Sequence, residues 1–569
     1  MASTRYLPVN GALSAHNLDL FGNRPIYCAN TDTYILVGDL PLLRLGKGRR
    51  ILGTLEFALK TAEGFKPLYR CAEVGFSYQA GLVRWEITDP DLAGTISLTV
   101  AAPEGREAML VELRGPAGSA VYWRYGGLQY YPGSWGIDPL VEPEWLTRTF
   151  VTEDCHNNTA VCRDGRFILR ADGIWADAQP LQVVGSCSQH SYAVSVGSSP
   201  YIAGCLDLGE VPVVWGAYLA PADQPASKVP IDLSADLASA IARSRALASR
   251  VEAHTPEPAL DAVLSAVVHE VDGAWYPPRT MHSTLTWNGP YLGWNNRYGN
   301  TLCGWHERML DEVSYYTARM HTADDKQGFA ADPARKMTVA APDSRFYGLG
   351  HVDADQHMYN MQTQFFDQAI HAWYATGDEA LLERLRPALE LHTRWQDECF
   401  DPDGDGIYES CINSWPTDSV WYNGGGSVEE TCYAWRSHCA AAEMAELAGD
   451  EACARHHREM LSRIREGFFR LLWITDRGHP GKYREQGGHR RLHPNPWLYG
   501  LFMPVDVGLL DAQQAVQALD YTRWALQNDH FEYGGRMVWM SNWVPSIWSV
   551  RELAAGENLQ LAYAYFRAG

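Results

Sequence analysis

Between residue 30 and about residue 220 the chain alternates short β-branched and apolar runs with Gly, Pro, Asn and Asp. Examples are Thr33-Tyr34-Ile35-Leu36-Val37, Ile96-Ser97-Leu98-Thr99-Val100, Ala108-Met109-Leu110-Val111-Glu112-Leu113 and Val211-Pro212-Val213-Val214-Trp215. Runs of this length and spacing predict many short strands in an antiparallel β-sandwich. From Ile231 the period changes, and Leu233 to Ala248 carries good helix formers at helical spacing. Further on, one unit occurs twice. Phe365 to Tyr374 leads through Gly377-Asp378 into a second periodic stretch ending near Trp395, and Thr431 to Glu446 leads through Gly449-Asp450 into another ending near Leu472. A glycine that stops one helix followed by an aspartate that caps the next predicts a helical hairpin. Repeated hairpins bury their apolar faces by stacking, as a solenoid or a closed ring. The long loops before each hairpin, dense in Trp, Asn, Asp and His, favour a ring with a central cleft. The expected architecture is an N-terminal antiparallel β-sandwich (1–228), a linker helix (229–257) and an (α/α)6 toroid (258–569).

At 569 residues, 46% hydrophobic, the chain is too long for one core and too apolar for disorder. Its net charge of −21 disfavours nucleic acid and anionic membranes as partners but leaves room for a local pocket that takes an acidic glycan. The 21 tryptophans and 29 tyrosines suit sugar rings and ordinary cores equally. Twelve cysteines are scattered singly, with no C-x-x-C pair, and read as mostly buried thiols with no metal site and no cofactor. Met1 to Leu20 lacks the pattern of a secretory signal, and no apolar run is long enough to span a bilayer. A soluble protein of a reducing compartment is expected, or a secreted one whose signal has been removed. Oligomeric state is not encoded legibly.

Three segments carry candidate chemistry. The first runs from Leu285 to Asn300 and on to Arg308, broken by glycines and Pro290. Arg297 and Asn296 would bind a substrate carboxylate, Trp287 or Trp294 would stack on a sugar ring, and Tyr291, His306 and Arg308 would line the sugar site. The structural alternative pairs Arg308 with an acidic residue and packs the tryptophans between sandwich and toroid. The second is Gly348 to Asn360, where His351, Asp353, Asp355 and His357 lie within seven residues. A histidine base oriented by a carboxylate is the functional reading, a loop capping the next helix is the structural one, and a metal is disfavoured.

The third is Phe400 to Glu430. Asp401, Asp403, Asp405 and Gly406 imitate the start of an EF-hand, but Ile412 stands where the bidentate glutamate belongs, so a turn is expected rather than a calcium site. Glu409, Trp415, Trp421 and Tyr422 would contact substrate. Asp418 sits among aromatics and has the stronger catalytic claim, while Glu430 reads first as the acid of a capping box begun by Ser427. The aromatic and polar stretch Trp539 to Glu552 is expected to close the ring and line the same cleft, with packing rather than catalysis as its role.

The runs Asn23 to Tyr27, Tyr291 to Tyr298, Gly304 to Arg308 and Asn413 to Tyr433, above all Trp415-Pro416-Thr417-Asp418-Ser419 and Trp421-Tyr422-Asn423-Gly424-Gly425-Gly426, resemble a bacterial domain family. That family is associated with the L-rhamnose-α-1,4-D-glucuronate lyases of polysaccharide lyase family 27. The resemblance implies β-elimination of terminal rhamnose from glucuronate, as in arabinogalactan side chains. Such a reaction needs a carboxylate neutraliser (Arg297, Asn296), a base (His351 or His357) and an acid (Tyr298 or Tyr291). The alternative on the same scaffold is an inverting glycoside hydrolase with Asp418 and Glu430 or Glu409 as its carboxyl pair. The acidic Asp-Gly-Asp-Gly loop is similar to that of toroid hydrolases including glycoside hydrolase family 116, although the order Pro416-Thr417-Asp418-Ser419-Val420-Trp421 departs from theirs. A third reading, of another class, is a glycan-binding protein without catalysis.

Overall fold

The computed structural model describes residues 6–22, 24–48, 50–127, 129–130, 158–163, 166–171, 180–189, 192–193, 201–209, 211–282, 289–290, 292–293, 295–323, 348–354, 359–409, 426–485, 489–528, 537–543 and 551–569. The chain forms two compact units, one of residues 3–289 and 302–304, the other of residues 290–301 and 305–569.

The first unit is built on two antiparallel sheets. One has ten strands, running from Leu7–Val9 at one edge through Glu73–Gln79, Leu82–Thr88, Ile96–Ala101, Ala108–Arg114 and Val213–Pro221 to Asn158–Arg163 at the other. The nine-stranded sheet is centred on the long strand Arg50–Thr61, flanked by Leu42–Lys47 and Ala120–Gly126. Alternation puts every second residue of Leu82–Thr88 inward: Val83, Trp85 and Ile87 are buried while Arg84 and Glu86 face solvent. Inward residues of both sheets share one core, in which Trp123 meets Trp215 with ring centroids 5.7 Å apart and Phe167 stacks on Trp215 at 5.2 Å. Several of the tryptophans are therefore core residues, each worth several kcal/mol through the area it removes from water.

Two helices complete this unit. Helix α1 (Leu233–Ala248) is capped by Asp232, whose carboxylate accepts from the Ala235 amide at 3.0 Å, and lays Leu237 and Ala240 on Leu110, Val184 and Tyr218. Helix α2 (Pro258–Gly273) is fastened by polar contacts. His269 is fully buried, its Nε2 accepting from the Tyr27 amide at 3.2 Å and its Nδ1 3.1 Å from the Tyr78 hydroxyl. The first contact leaves Nδ1 to carry the proton, which it donates to Tyr78. Arg243 of α1 reaches Asp272 of α2 at 2.7 Å and the Tyr27 carbonyl at 2.7 Å.

The second unit is helical. Helices α3 (Asn296–Leu302, whose last residue lies in the first unit) and α4 (His306–Thr317) lead to the two expected hairpins. The first joins α5 (Tyr359–Thr376) to α6 (Glu379–Phe400), and the second joins α7 (Val428–Leu447) to α8 (Glu451–Gly467). Gly377 and Gly449 take φ of 63° and 72°, where a side chain would be strained. Asp378 and Asp450 then cap the second helices through the Leu381 and Cys453 amides. Helices α9 (Leu498–Asp506), α10 (Ala512–Ala525) and α11 (Ala555–Ala568) continue the alternation. Helices α5, α7, α9 and α11 touch in succession, and α6, α8 and α10 each pack on the partner that precedes them. The α7 helix is accordingly buried at every position from Val428 to Ala434, whereas α8 buries one face. No described helix is long and apolar enough to cross a membrane.

Burial holds the His269 imidazole far below its ordinary 6.5, at about 3, with the Arg243 charge adding to the effect. The folded state therefore refuses a proton that the unfolded chain accepts, and stability is lost as pH falls from 6.5 toward 3. Relative to His269→Leu, the wild type is expected to lose about 2 kcal/mol more between pH 7 and pH 5 in urea unfolding of the first unit. Equal losses would remove His269 from the acid response.

Candidate active site

The polar residues that the helical unit buries concentrate where α5 faces α7. Ser427 caps α7, its hydroxyl accepting from the Glu430 amide at 3.3 Å. The reciprocal half of a capping box is not made: the Glu430 carboxyl turns inward to Thr363 of α5, whose hydroxyl donates to it at 3.2 Å. Glu430 is 1% exposed. Burial, and then the charge of Glu429, push its carboxyl up to about 8, so it holds its proton at neutral pH. Its other oxygen, Oε1, has no hydrogen-bond partner among the described residues. A buried oxygen left open in this way costs free energy unless a ligand or water meets it.

Glu429, its neighbour, accepts from the Lys482 ammonium and from the Trp497 indole. The ammonium also lies 4.8 Å from the centre of the Trp497 ring, and burial lowers its pKa against the pull of Glu429. Trp497 stacks on Tyr499 at 4.6 Å, and Asn295 donates to the Tyr499 hydroxyl at 3.4 Å. Tyr499 is also hydrogen-bonded to Glu557. Glu552 lies near, its backbone carbonyl accepting from Met540, whose carbonyl in turn accepts from Leu498. Burial and then Glu557 raise the Glu552 carboxyl to about 7, and its Oε1 also lacks a partner among the described residues.

One turn along α5 from Thr363 stands Asp367, 3% exposed. It accepts from the Tyr298 hydroxyl and forms an ion pair with Arg436, whose Nε lies 2.9 Å away, and Arg436 also donates to Asp506. His371 lies 3.7 Å from Asp367 and 3.8 Å from Asp506. Burial and the Asp367 charge hold the Tyr298 phenol well above its ordinary pKa. Tyr433 sits among these groups, its ionisation opposed by Tyr499, Asp367, Glu430 and Glu429 after burial itself.

The structure thus brings Glu430, Tyr298 and the neighbourhood of Asn295 into one polar cluster. Other expected residues lie apart from it. Arg297 meets a carboxylate of its own chain, Glu312, at 3.0 Å with both side chains fully buried, and the rings of Tyr316 and Phe365 flank it. Asn296 opens α3, half-buried. His306 is exposed at the start of α4, and Arg308 lies 4.0 Å over the ring of Trp305. His351 is buried beside His321 and Trp395, and its loop is held on α5 by Gln362, which bonds the Gly350 carbonyl and the Val352 amide. Asp353 is half-buried and donates its amide to Arg319. Glu409 is buried and bridges to Gly426. Trp287, Tyr291, Trp294, Asp355, His357, Trp415, Asp418, Trp421 and Tyr422 lie outside the described residues.

In the Asp401 loop, the side chains of Asp401 and Asp405 accept from the amides of Gly406 and Ile407, and Asp401 pairs with Arg463 at 3.1 Å. Glu429, Asp367, Lys482, Arg436 and Glu552 had no assignment from sequence. Two of them carry a signal in the sequence: Asp367 is an acid directly after the aromatic pair Phe365-Phe366, and Glu429-Glu430 is a double acid entering a buried helix.

Lys482→Met would leave Glu429 with the Trp497 indole alone. Thermal unfolding is expected to show a loss of roughly 3–5 kcal/mol, and Lys482→Met combined with Glu429→Leu should recover most of it. A loss that the double variant does not recover would mean that the pair is not the source.

Comparison with protein-family models and with curated proteins finds no match. Among solved structures, a bacterial glucoamylase complexed with acarbose aligns over 92% of this chain and 81% of its own, with a TM-score of 0.58 and 9% identity. At that identity the likeness is one of fold, and the chain shares with the glucoamylase its succession of β-sheet and helical parts.

Proposed function

We propose that the chain is a carbohydrate-active enzyme that cleaves a glycosidic bond by hydrolysis, with the helical unit as an (α/α)6 toroid and Glu430 as proton donor. The observation that carries this reading is the Glu430 carboxyl: buried, protonated at neutral pH, held by Thr363 and left with one oxygen open. A leaving alkoxide needs such a proton, and a carboxyl raised into the neutral range both retains and delivers it. Glu552, also raised, is the counterpart proposed to activate water, and Asp418 in the Trp-rich loop is the alternative. The saccharide inhibitor held by the glucoamylase supports a saccharide ligand here.

The elimination implied by the resemblance to rhamnose-glucuronate lyases requires a cation facing the uronate. Among the described residues of this region the cations are already matched: Arg297 with Glu312, Lys482 with Glu429, Arg436 with Asp367 and Asp506. That balance favours an uncharged sugar and hydrolysis. A non-catalytic glycan-binding protein would have no use for a carboxyl kept protonated in its interior.

Incubation with neutral oligosaccharides and, in parallel, with a rhamnosyl-glucuronate oligosaccharide separates the chemistries. Released sugar without ultraviolet absorbance is expected. Absorbance from an unsaturated uronate would overturn hydrolysis and return attention to the histidines. Glu430→Gln is expected to lower turnover by about 10²–10⁴-fold on natural glycosides and far less on aryl glycosides, whose leaving group needs no proton. Activity should fall as pH rises through about 8, where Glu430 ionises, and as it falls below about 7, where Glu552 gains its proton. An unchanged profile in Glu430→Gln would remove it from the reaction.

A further inference from the structure

A second polar cluster lies where α6, α7 and α8 meet, and nothing in the hydrolytic reading uses it. Its residues are Glu390 and Asp397 of α6, His438 of α7, and Cys453 and His457 of α8. The Cys453 thiol lies 3.0 Å from Glu390 Oε1, and His457 Nε2 lies 3.2 Å from each Glu390 oxygen. On the far side of the ring, His457 Nδ1 is 2.8 Å from His438 Nδ1, and His438 Nε2 is 3.1 Å from Asp397, which also accepts from the Tyr408 hydroxyl. His438 and His457 are buried, their side chains 0% and 1% exposed.

Hydrogen bonding along this row dictates where the protons sit. Asp397 accepts, so His438 donates from Nε2. Its Nδ1 is then an acceptor in the neutral ring, and His457 must donate from Nδ1. That leaves the His457 Nε2 lone pair aimed at the two Glu390 oxygens, with a thiol beside them. The Cys453 thiol donates to Glu390 Oε1, and the contact between Nε2 and the carboxylate is completed by a cation, either a proton on the ring or a metal ion.

We propose that Glu390, Cys453 and His457 form a zinc site, with Asp397 and His438 as the row that orients its histidine. The donor set of thiolate, imidazole nitrogen and carboxylate oxygen is borderline-soft and matches Zn²⁺ better than Ca²⁺ or Mg²⁺. The three ligand atoms lie within 4.8 Å of one another. Tetrahedral zinc bond lengths imply separations of about 3.3 Å between nitrogen and oxygen and about 3.5 Å between sulfur and oxygen. The observed 3.2 Å between nitrogen and oxygen is close to that, the sulfur at 3.0 Å from the oxygen would draw back by about 0.5 Å, and the sulfur–nitrogen pair lies within 4.8 Å. Cys453 and His457, four apart, present their side chains on one face of α8. Glu390 is 37% exposed, which gives water access to the fourth position. Binding releases the thiol proton to solvent and joins the second helices of two consecutive hairpins. The histidine held by a second histidine and then a carboxylate follows the outer-shell pattern that fixes a ligand's tautomer at metal centres.

The test uses the full chain, stripped with a chelator and titrated with Zn²⁺ or Co²⁺. One ion per chain is expected, with a thiolate-to-cobalt charge-transfer band in the near ultraviolet. Cys453→Ser should abolish the band, His457→Gln should weaken binding at least tenfold, and His438→Gln should weaken it about 10–100-fold through loss of orientation. Cys205→Ser, in the other unit, should change nothing. Zn²⁺ should also slow alkylation of Cys453 in the wild type, read by mass spectrometry, which holds even if a variant fails to fold. Absence of saturable uptake, or uptake that survives Cys453→Ser and His457→Gln with Cys453 alkylated at an unchanged rate, would overturn the proposal.

Discussion

A charge carried into a helical interior must be matched there, and the pairing of Glu429 with Lys482 and Trp497 is the contact on which the candidate site depends. It lets α7 begin as a buried helix despite two successive acids. Because Glu429 takes the cation and the charge, Glu430 beside it is left with burial and a like-charged neighbour, and both effects drive it to the protonated form. One carboxyl paired with a cation and one kept neutral is the asymmetry that acid catalysis needs. The same logic repeats one helical turn along α5, where Asp367 is matched by Arg436 and receives the Tyr298 hydroxyl.

The scaffold makes these positions possible. In the first unit, two antiparallel sheets close over an aromatic core, and α1 and α2 add a polar fastening in which His269 is kept neutral between two tyrosines. In the second, the succession of α5, α7, α9 and α11 leaves those helices covered by their neighbours. In a helix covered all round an unpartnered polar group costs free energy, so most polar residues of α5 and α7 interlock and the open Glu430 Oε1 stands out among them. The cluster of Glu390, Cys453 and His457 obeys the same rule between the outer helices.

Strands, helices and hairpin turns were legible to within a few residues because their signals are local. Thr33–Val37 and Leu233–Ala248 are found as their alternation and periodicity predict. The Gly377-Asp378 and Gly449-Asp450 junctions are found as stop and cap, because a positive φ and an N-cap are properties of single residues. The α6 helix runs on to Phe400, beyond Trp395, since Cys399 and Phe400 still find a core to enter. Residue type alone made Arg297 a substrate clamp. Its buried partner Glu312 is fifteen positions away, and residue type does not disclose which carboxylate an arginine will meet.

The sequence by itself determined the run of antiparallel strands followed by helices, the hairpin repeat and the lack of a long uncharged apolar stretch, since these follow from period, composition and turn residues. Only the tertiary structure decided which acids are charged. Glu429 and Glu430 are adjacent and identical in type, yet Lys482 and Trp497, more than fifty residues away in the chain, reach one of them, and Thr363 reaches the other. Likewise Glu390 joins Cys453 and His457 only because α6 lies against α8. Protonation and ligation depend on burial and on distances between side chains remote in sequence, and those quantities come into existence when the helices pack.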